Sequence, residues 1–339
     1  MKLAPSLIAM AIALAPIAAS AASLDAEQLM KSFNIIALDD MDLRATDHVE
    51  GTVYVGDDYN TGATGTSPRT PTSINTDNMA PGTVGDVTGA LIVGGEAGGN
   101  FGGAMRGDIV IGSSYSGRRE GSGGLQSGVG TNTPAGIPVD EMVSTFTALS
   151  GNLASLESTS GTGFNTAMNF KSFTSGAGDE DGIAVLNISR SQAMQMLNEQ
   201  QQITFDLSGG ASTFIINVAG TDLGNLGAMM NTDTPSVLFN FYEADYLNFT
   251  STWRSAILAT GALVDTAPGG SNGVIVASDV VLGGEVRPYN DSYTYGGTLP
   301  TTIVSPPPPV TSVPVPAALP MAAGGLGLLA FLARRRKRA

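Results

Sequence analysis

Apolar residues along this chain come in short packets fenced by glycine and small polar residues. Val49-Glu50-Gly51-Thr52-Val53-Tyr54-Val55-Gly56, Val87-Thr88-Gly89-Ala90-Leu91-Ile92-Val93-Gly94 and Met105-Arg106-Gly107-Asp108-Ile109-Val110-Ile111-Gly112 share one pattern, and Ser271-Asn272-Gly273-Val274-Ile275-Val276-Ala277-Ser278 follows it more loosely. Each reads as a turn glycine, a short apolar strand and a small turn residue. Side chains alternate along a strand, so Val53 and Val55 face one way and Tyr54 the other. A strand this short cannot bury a face alone, but stacked copies can, which is the logic of a β-solenoid. The second and third copies are 18 residues apart, close to one coil. A sandwich of Gly-rich hairpins is the alternative that shares the pattern.

Two segments switch to helical spacing. From Val139 to Leu156 the apolar positions Met142, Val143, Phe146, Leu149, Leu153 and Leu156 form one stripe, with Pro138 and Asp140 as start signals and Gly161 and Gly163 beyond the end. A shorter helix is predicted over 189–201, with Ser191 as N-cap and Ala193, Met194 and Leu197 as its apolar face. Both stripes are read as packing surfaces. Strands are predicted at 203–207, 213–218, 236–241, 256–258, 273–277 and 280–282, with corners at Gly209-Gly210, Gly269-Gly270 and Gly283-Gly284. Residues 61–81 read as an inserted surface loop and 112–134 as a Gly/Ser-rich mobile segment.

The two ends carry targeting patterns. Lys2, the apolar run Leu7 to Ile17 and the small residues Ala19-Ser20-Ala21 predict a signal peptide over 1–21, cut after Ala21, with Ala19 and Ala21 as the small cleavage-site residues. Residues 22–299 are then the folded domain, and 300–312 form a Pro-rich spacer containing Pro306 to Pro309. In 313–339 the motif Val313-Pro314-Val315-Pro316-Ala317 precedes an apolar run from Leu319 to Ala333 and the basic cluster Arg334 to Arg338. About 20 apolar residues span a bilayer. This run is a little short and holds Gly324, Gly325 and Gly327, so a weakly spanning transmembrane helix is predicted, its basic end on the cytoplasmic side.

Composition narrows the chemistry. There is no cysteine and a single histidine, His48, which excludes disulfides, a thiol nucleophile and the usual zinc sets. The net charge is −14, and without Lys2 and the five basic tail residues it becomes about −20. Such acidity excludes nucleic acid as a partner and makes calcium the one cation worth considering, with Asp39, Asp40, Asp57 and Asp58 as candidate ligands. No EF-hand loop spacing is present. A Ser-His-Asp triad would have to use His48, and no catalytic residue is assigned. Among the aromatics Phe241, Tyr242, Tyr246, Phe249 and Trp253, alternation turns Phe239 and Phe241 inward. Tyr242, Tyr246 and Trp253 are the candidate ligand contacts, for a sugar or a partner surface.

Two stretches carry a family resemblance. Phe33-Asn34-Ile35-Ile36-Ala37-Leu38-Asp39-Asp40-Met41-Asp42-Leu43, followed by Val49 to Asp57, resembles the opening of the choice-of-anchor A domain family. Val237 to Phe241, Trp253 to Ala259 and Gly273 to Ala277 resemble its closing half. The likeness covers roughly residues 32–290, interrupted by the 61–81 insertion. The tail motif resembles the PEP-CTERM class of sorting signals in its VPLPA-like form, with Val315 where leucine is usual. These resemblances imply an exported surface adhesin or extracellular-matrix protein of a Gram-negative bacterium. They imply signal peptidase and an exosortase-type protease as processing partners, with transient anchoring in the inner membrane. The strand-helix-strand order also resembles the ice-binding-type discontinuous coil. The expected fold is thus mainly β, a right-handed parallel β-helix with one long α-helix alongside. The expected function is non-enzymatic adhesion, without a resident cofactor. The alternatives are a carbohydrate-binding or carbohydrate-cleaving β-helix, or a calcium-stabilised structural module.

Overall fold

The computed structural model describes residues 24–300, apart from 45–47, 61–72, 78, 99–106, 117–136, 167–170, 199, 231–232, 267–269 and 290–293. The predicted signal peptide with Ala19 and Ala21, the spacer beyond Pro300, the motif Val313 to Ala317 and the apolar tail lie outside the described residues, as does most of the Gly/Ser-rich segment. No helix among the described residues is long and apolar enough to cross a membrane.

The backbone coils around three stacked faces. Among the described residues the first face holds nine parallel strands: Ile183–Ile188, Thr213–Val218, Val237–Asn240, the first halves of Ala256–Asp265 and Ile275–Leu282, then Ile35–Ala37, Val53–Val55, Leu91–Val93 and Ile109–Ile111. The second face stacks Asp222–Leu226, Tyr246–Phe249, the second halves of the two long strands, Met41–Leu43, Tyr59–Asn60, Ala97–Gly98 and Tyr115–Ser116, again all parallel. Lys171–Thr174, Gln202–Asp206 and Met229–Met230 begin the third face. Trp253, Ser271–Asn272, Val286–Arg287, Val49 and Ile74 continue it. Register partners Ile35 and Val53, Leu91 and Ile109, Leu238 and Ala256, and Ile257 and Ile275 are each 18 residues apart, so 18 residues make one coil.

The stack is not built in chain order. Ile35–Ala37 lies in its middle, and the chain builds outward from there to Ile109–Ile111. It resumes at the opposite end with Ile183–Ile188 and builds back, so that Ile275–Leu282 closes against Ile35–Ala37. The β-solenoid expectation therefore holds in a discontinuous form, and the hairpin sandwich does not. Two expected strands, 273–277 and 280–282, are one strand that runs round a corner between faces, and the strand expected at 256–258 extends to Asp265 for the same reason.

Inward-facing Ile35, Ala37, Val53, Val55, Leu91, Val93, Phe214, Ile216, Phe239 and Ile257 build one continuous apolar core with residues of the other two faces. Most outward residues of the first face are buried too. The row Leu258, Val276, Ile36, Tyr54, Ile92 and Val110 is apolar. A helix α1 (Ala26–Ser32), which the sequence reading missed, is capped by Asp25 and buries Leu29 and Met30. Just beyond it Phe33 meets Tyr54 edge-on at 6.3 Å. Helix α2 (Val139–Ala154) turns Met142, Phe146, Leu149 and Leu153 inward and lies across the strands at 213–218, 237–240 and 256–265. Its 16 residues reach about 24 Å, or about five strand spacings.

The end of helix α2 rests on a different row. Asn187, Asn217 and Asn240 occupy matching positions on adjacent strands. Asn240 Nδ2 donates to Asn217 Oδ1 at 2.9 Å, and Asn217 Nδ2 to Asn187 Oδ1 at 2.8 Å. The same amides donate to the carbonyls of Ser150, Leu153 and Leu156 at 2.9, 2.7 and 2.8 Å. Carbonyls at a helix C-terminus run short of intrahelical partners; the Asn240 and Asn217 rungs supply them away from water, while the exposed Asn187 ties down Leu156 just beyond the helix end.

Helix α3 (Arg190–Leu197) is one turn shorter than expected and begins at a different cap. Ser189, not Ser191, holds extended backbone and forms a reciprocal capping box with Gln192. Met196 is buried where Met194 was expected, because the face against the coil includes the position before Leu197. In the 61–81 insertion, Ile74, Asn75 and Met79 return to the core, so its last third is not a surface loop.

Candidate functional site

Among the described residues, helix α3 packs against the second face only at its end strand Asp222–Leu226, and α1 and α2 pack elsewhere. The outward rows of the second face carry polar residues: Asn225, Asn248, Asp265, then Asp42 and Asn60 beyond Val281. At one end lies a groove of about 410 Å³, lined by Arg44, Tyr246, Asn248, Thr250, Asp265 and Thr266 among others. Asp265 is nearly buried, and its Oδ2 accepts from Arg44 Nη1 at 2.5 Å across the intervening strand. Asn248 Nδ2 donates to Asn225 Oδ1 at 2.8 Å, which fixes the amide's orientation along the face. The parallel ladder of the strand Tyr246–Phe249 holds Tyr246 and Asn248 on the same side.

Of the three aromatic residues offered as ligand contacts, two stand outward. Tyr246 is 44% exposed and Tyr242 37% exposed, whereas Trp253 is wholly buried. Trp253 is a correction. Its position on the third face points it into the coil, where its ring meets Phe249 at 4.7 Å and Phe239 at 4.9 Å, both edge-on. Phe239 and Phe241 point inward as alternation required.

The candidate calcium ligands sit at the corner between the first and second faces. Carboxyl oxygens of Asp39, Asp40 and Asp57 lie within 4.8 Å of one another. Two of the four acids already serve the backbone: Asp40 Oδ1 accepts from Asp58 N at 2.9 Å, and Asp58 Oδ1 from Glu96 N at 2.8 Å, so each carboxylate ties its coil to the next. Asp39 and Asp57 are exposed. Partial desolvation, then repulsion from Asp40, Asp279, Asp57 and Asp58, pushes the Asp39 carboxyl up. The Asp57 carboxyl is pushed up by desolvation, then by Asp58, Asp40 and Glu96.

His48 belongs to a second cluster, on the third face. Its Nε2 contacts Glu285 and lies 3.7 Å from Glu50, and Arg287 pairs with both carboxylates. Glu50 and Glu285 are hydrogen-bonded to each other. Burial, that bond and the Asp77 charge push Glu50 up to about 8. Burial also pushes on Glu285, but hydrogen bonds from Arg287 and Glu50 and the charges of His48 and Arg287 outweigh it and hold Glu285 low. Sequence reasoning singled out His48 alone and missed this cluster, in which His48 and Glu50 lie more than 230 residues from Glu285 and Arg287 in the chain. A glycosidase needs its two carboxyl groups at least ~5 Å apart to admit the sugar, which this directly bonded pair does not provide.

A family model described as "Putative Ice-binding-like adhesive domain" matches residues 26–288, most of the chain and nearly all of the coiled body. The chain belongs to this family. The ice-binding-like adhesive domain thus comprises α1, the three-faced coil and α2 together. Among curated proteins none matches. Two solved structures show a loose likeness. One is an ice-binding protein from the Antarctic ascomycete Antarctomyces psychrotrophicus (11% identity, TM-score 0.31, 82% of this chain and 100% of that one). The other is the competence-associated pilin ComZ from Thermus thermophilus (12% identity, TM-score 0.29, 79% and 74%).

Proposed function

We propose that this chain is an exported, non-enzymatic surface adhesin or extracellular-matrix protein of the choice-of-anchor A type, built on the adhesive domain and sorted through its C-terminal segment. The single observation that carries the reading is the adhesive-family match over residues 26–288. The disposition of the chemistry supports it. The lone histidine sits in a closed carboxylate and guanidinium network, and two of the corner acids are bonded to backbone amides. The rigid second face, by contrast, presents outward side chains. Residues 1–21 would be removed by signal peptidase. An exosortase-type protease would act at Val313 to Ala317 while the apolar run that follows holds the chain in the inner membrane of a Gram-negative cell. Mature adhesin would then accumulate at the cell surface or in the matrix, with an extracellular polysaccharide or another surface as its partner.

Intact-mass measurement of the chain from cells with and without the sorting protease tests the route. The expected result is a product lacking both ends outside the cell, and a tail-bearing product in the membrane when the protease is deleted. Recovery of the full-length, uncut chain from the cytosol would sink the proposal. Attachment of cells lacking the gene tests the role, with loss of attachment expected. Release of reducing sugar from polysaccharide by the purified chain would end the non-enzymatic reading.

A further inference from the structure

We infer that the groove bounded by Tyr246, Asn248, Asp265 and Arg44 is a binding site for a neutral polysaccharide chain. This rests on the adhesive reading above and names the contact. The groove assembles the groups a pyranose ring needs and little else. Tyr246 offers an exposed aromatic face to the ring's C–H surface. Asn248 offers an amide held by Asn225, and Thr250 a hydroxyl at the rim. Asp265 is a nearly buried acceptor locked by Arg44, so its orientation does not change when hydroxyl groups arrive. Each of these side chains stands on a parallel ladder or directly beside one, which presets the site and lowers the entropy lost on binding.

Charge selects among glycans. The guanidinium of Arg44 is ion-paired with Asp265, and the surrounding face carries Asp42 and Asp279. The whole chain carries −14. A uronic-acid, sulfated or phosphorylated polymer meets repulsion from these carboxylates, and the cation among the described lining residues, Arg44, is already ion-paired with Asp265. A neutral chain meets neither penalty. The groove volume, about 410 Å³, lies within the ~300–1,000 Å³ typical of small-ligand sites and suits a few sugar rings of a longer chain.

Native gel electrophoresis of the full chain through galactomannan, dextran or soluble β-glucan, against alginate and polygalacturonate, tests the inference. Expected is retardation by at least one neutral polymer and none by the anionic ones. Tyr246→Ala should weaken retention about ten-fold and Asn248→Ala a few-fold. Met229→Ala, 40% exposed on the third face and outside the groove lining, should behave as the parent. Melting temperatures of the three variants should match the parent, which separates lost binding from lost fold. Retardation by alginate alone, no retardation by any polymer, or a Tyr246→Ala variant retained like the parent would each overturn the inference. If cells carrying the parent chain attach while no polymer retards it, the groove assignment falls and the adhesive reading stands. If cells lacking the gene attach equally well, the adhesive reading falls whatever the gel shows.

Discussion

The first and second faces are made of the same coils, yet they do opposite work. On the first face most outward residues are buried, as Ile36, Tyr54, Ile92 and Val276 are, and Asn217 and Asn240 lie under the last turn of α2. On the second face outward positions are Tyr246, Asn248, Asp42 and Asn60, and no helix among the described residues is laid over them. A lone short strand is marginal, so one covered face supplies the burial that lets another stay bare. The lesson is that stability and contact are segregated by face rather than along the chain. Substitutions should therefore sort by face, with first-face changes altering melting and second-face changes altering binding.

The largest effect should come where the faces join. Gly56, Gly94 and Gly112 follow matching strands, and a Cβ on Gly94 would run into the carbonyl oxygen of Gly56 on the neighbouring coil. Gly94→Ala should destabilise by about 3 kcal/mol, and Gly94→Val by more, read as a lowered denaturant midpoint. Gly151 is the control. It is exposed within helix α2, and a Cβ there meets nothing within 4 Å. Gly151→Ala should stabilise by up to about 1 kcal/mol. If both variants behave alike, coil-to-coil crowding is not what requires glycine at the corner.

Next in size is the amide ladder. Asn240→Ala strands the Ser150 hydroxyl and carbonyl and the Asn217 carbonyl oxygen away from water, at a cost of about 1–3 kcal/mol. Asn248→Ala, in an equivalent ladder on the bare face, leaves Asn225 open to solvent and should change stability by under ~0.5 kcal/mol. Equal costs for the two asparagines would erase the distinction between faces.

Much of this was legible before any coordinates. The strand packets, the long helix and the inward turn of Phe239 and Phe241 follow from period and alternation. The coil containing Ile35–Ala37 escaped the repeat because Phe33 stands where the other copies have glycine; the 18-residue spacing from Ile35 to Val53 was the signal that could have found it. Trp253 was misjudged because a single residue in an isolated bridge to Ser271 has no alternating neighbours to betray its direction. The pairing of Glu50 with Glu285, and of Arg44 with Asp265, arises only because the chain closes its last coil on its first, a long-range event that local pattern does not encode.

That closure carries the pH dependence. Val286 O accepts from Glu50 N at 2.9 Å, so the proton shared by Glu50 and Glu285 sits on the seam between the first and last coils. Glu50 is raised from 4.5 to about 8 in the folded chain. Its contribution to stability is therefore complete below about pH 4.5 and is lost as pH rises through about 8. Melting temperature should fall by a few degrees between pH 6 and 9, and Glu50→Gln should flatten that fall. An unchanged slope in Glu50→Gln would place the sensitivity elsewhere.

The smallest expected effect distinguishes repulsion from binding at the acid corner. Asp39 and Asp57 titrate above the usual aspartate range because partial desolvation and their neighbours' charges oppose ionisation. Their ionised forms therefore weaken the fold, by an amount that solvent screening keeps small, and stability is eroded as pH rises through their folded values. Asp57→Asn should raise stability by a few tenths of a kcal/mol. Sodium chloride should produce a similar gain in the parent, and calcium at matched ionic strength no more. Calcium requires six to eight oxygens, and Asp40 and Asp58 already spend oxygens on backbone amides. A calcium-specific rise of several degrees, abolished by Asp57→Asn, would show that the corner gathers a cation, and would make the bare face's edge a second place where the coil is held rather than merely left open.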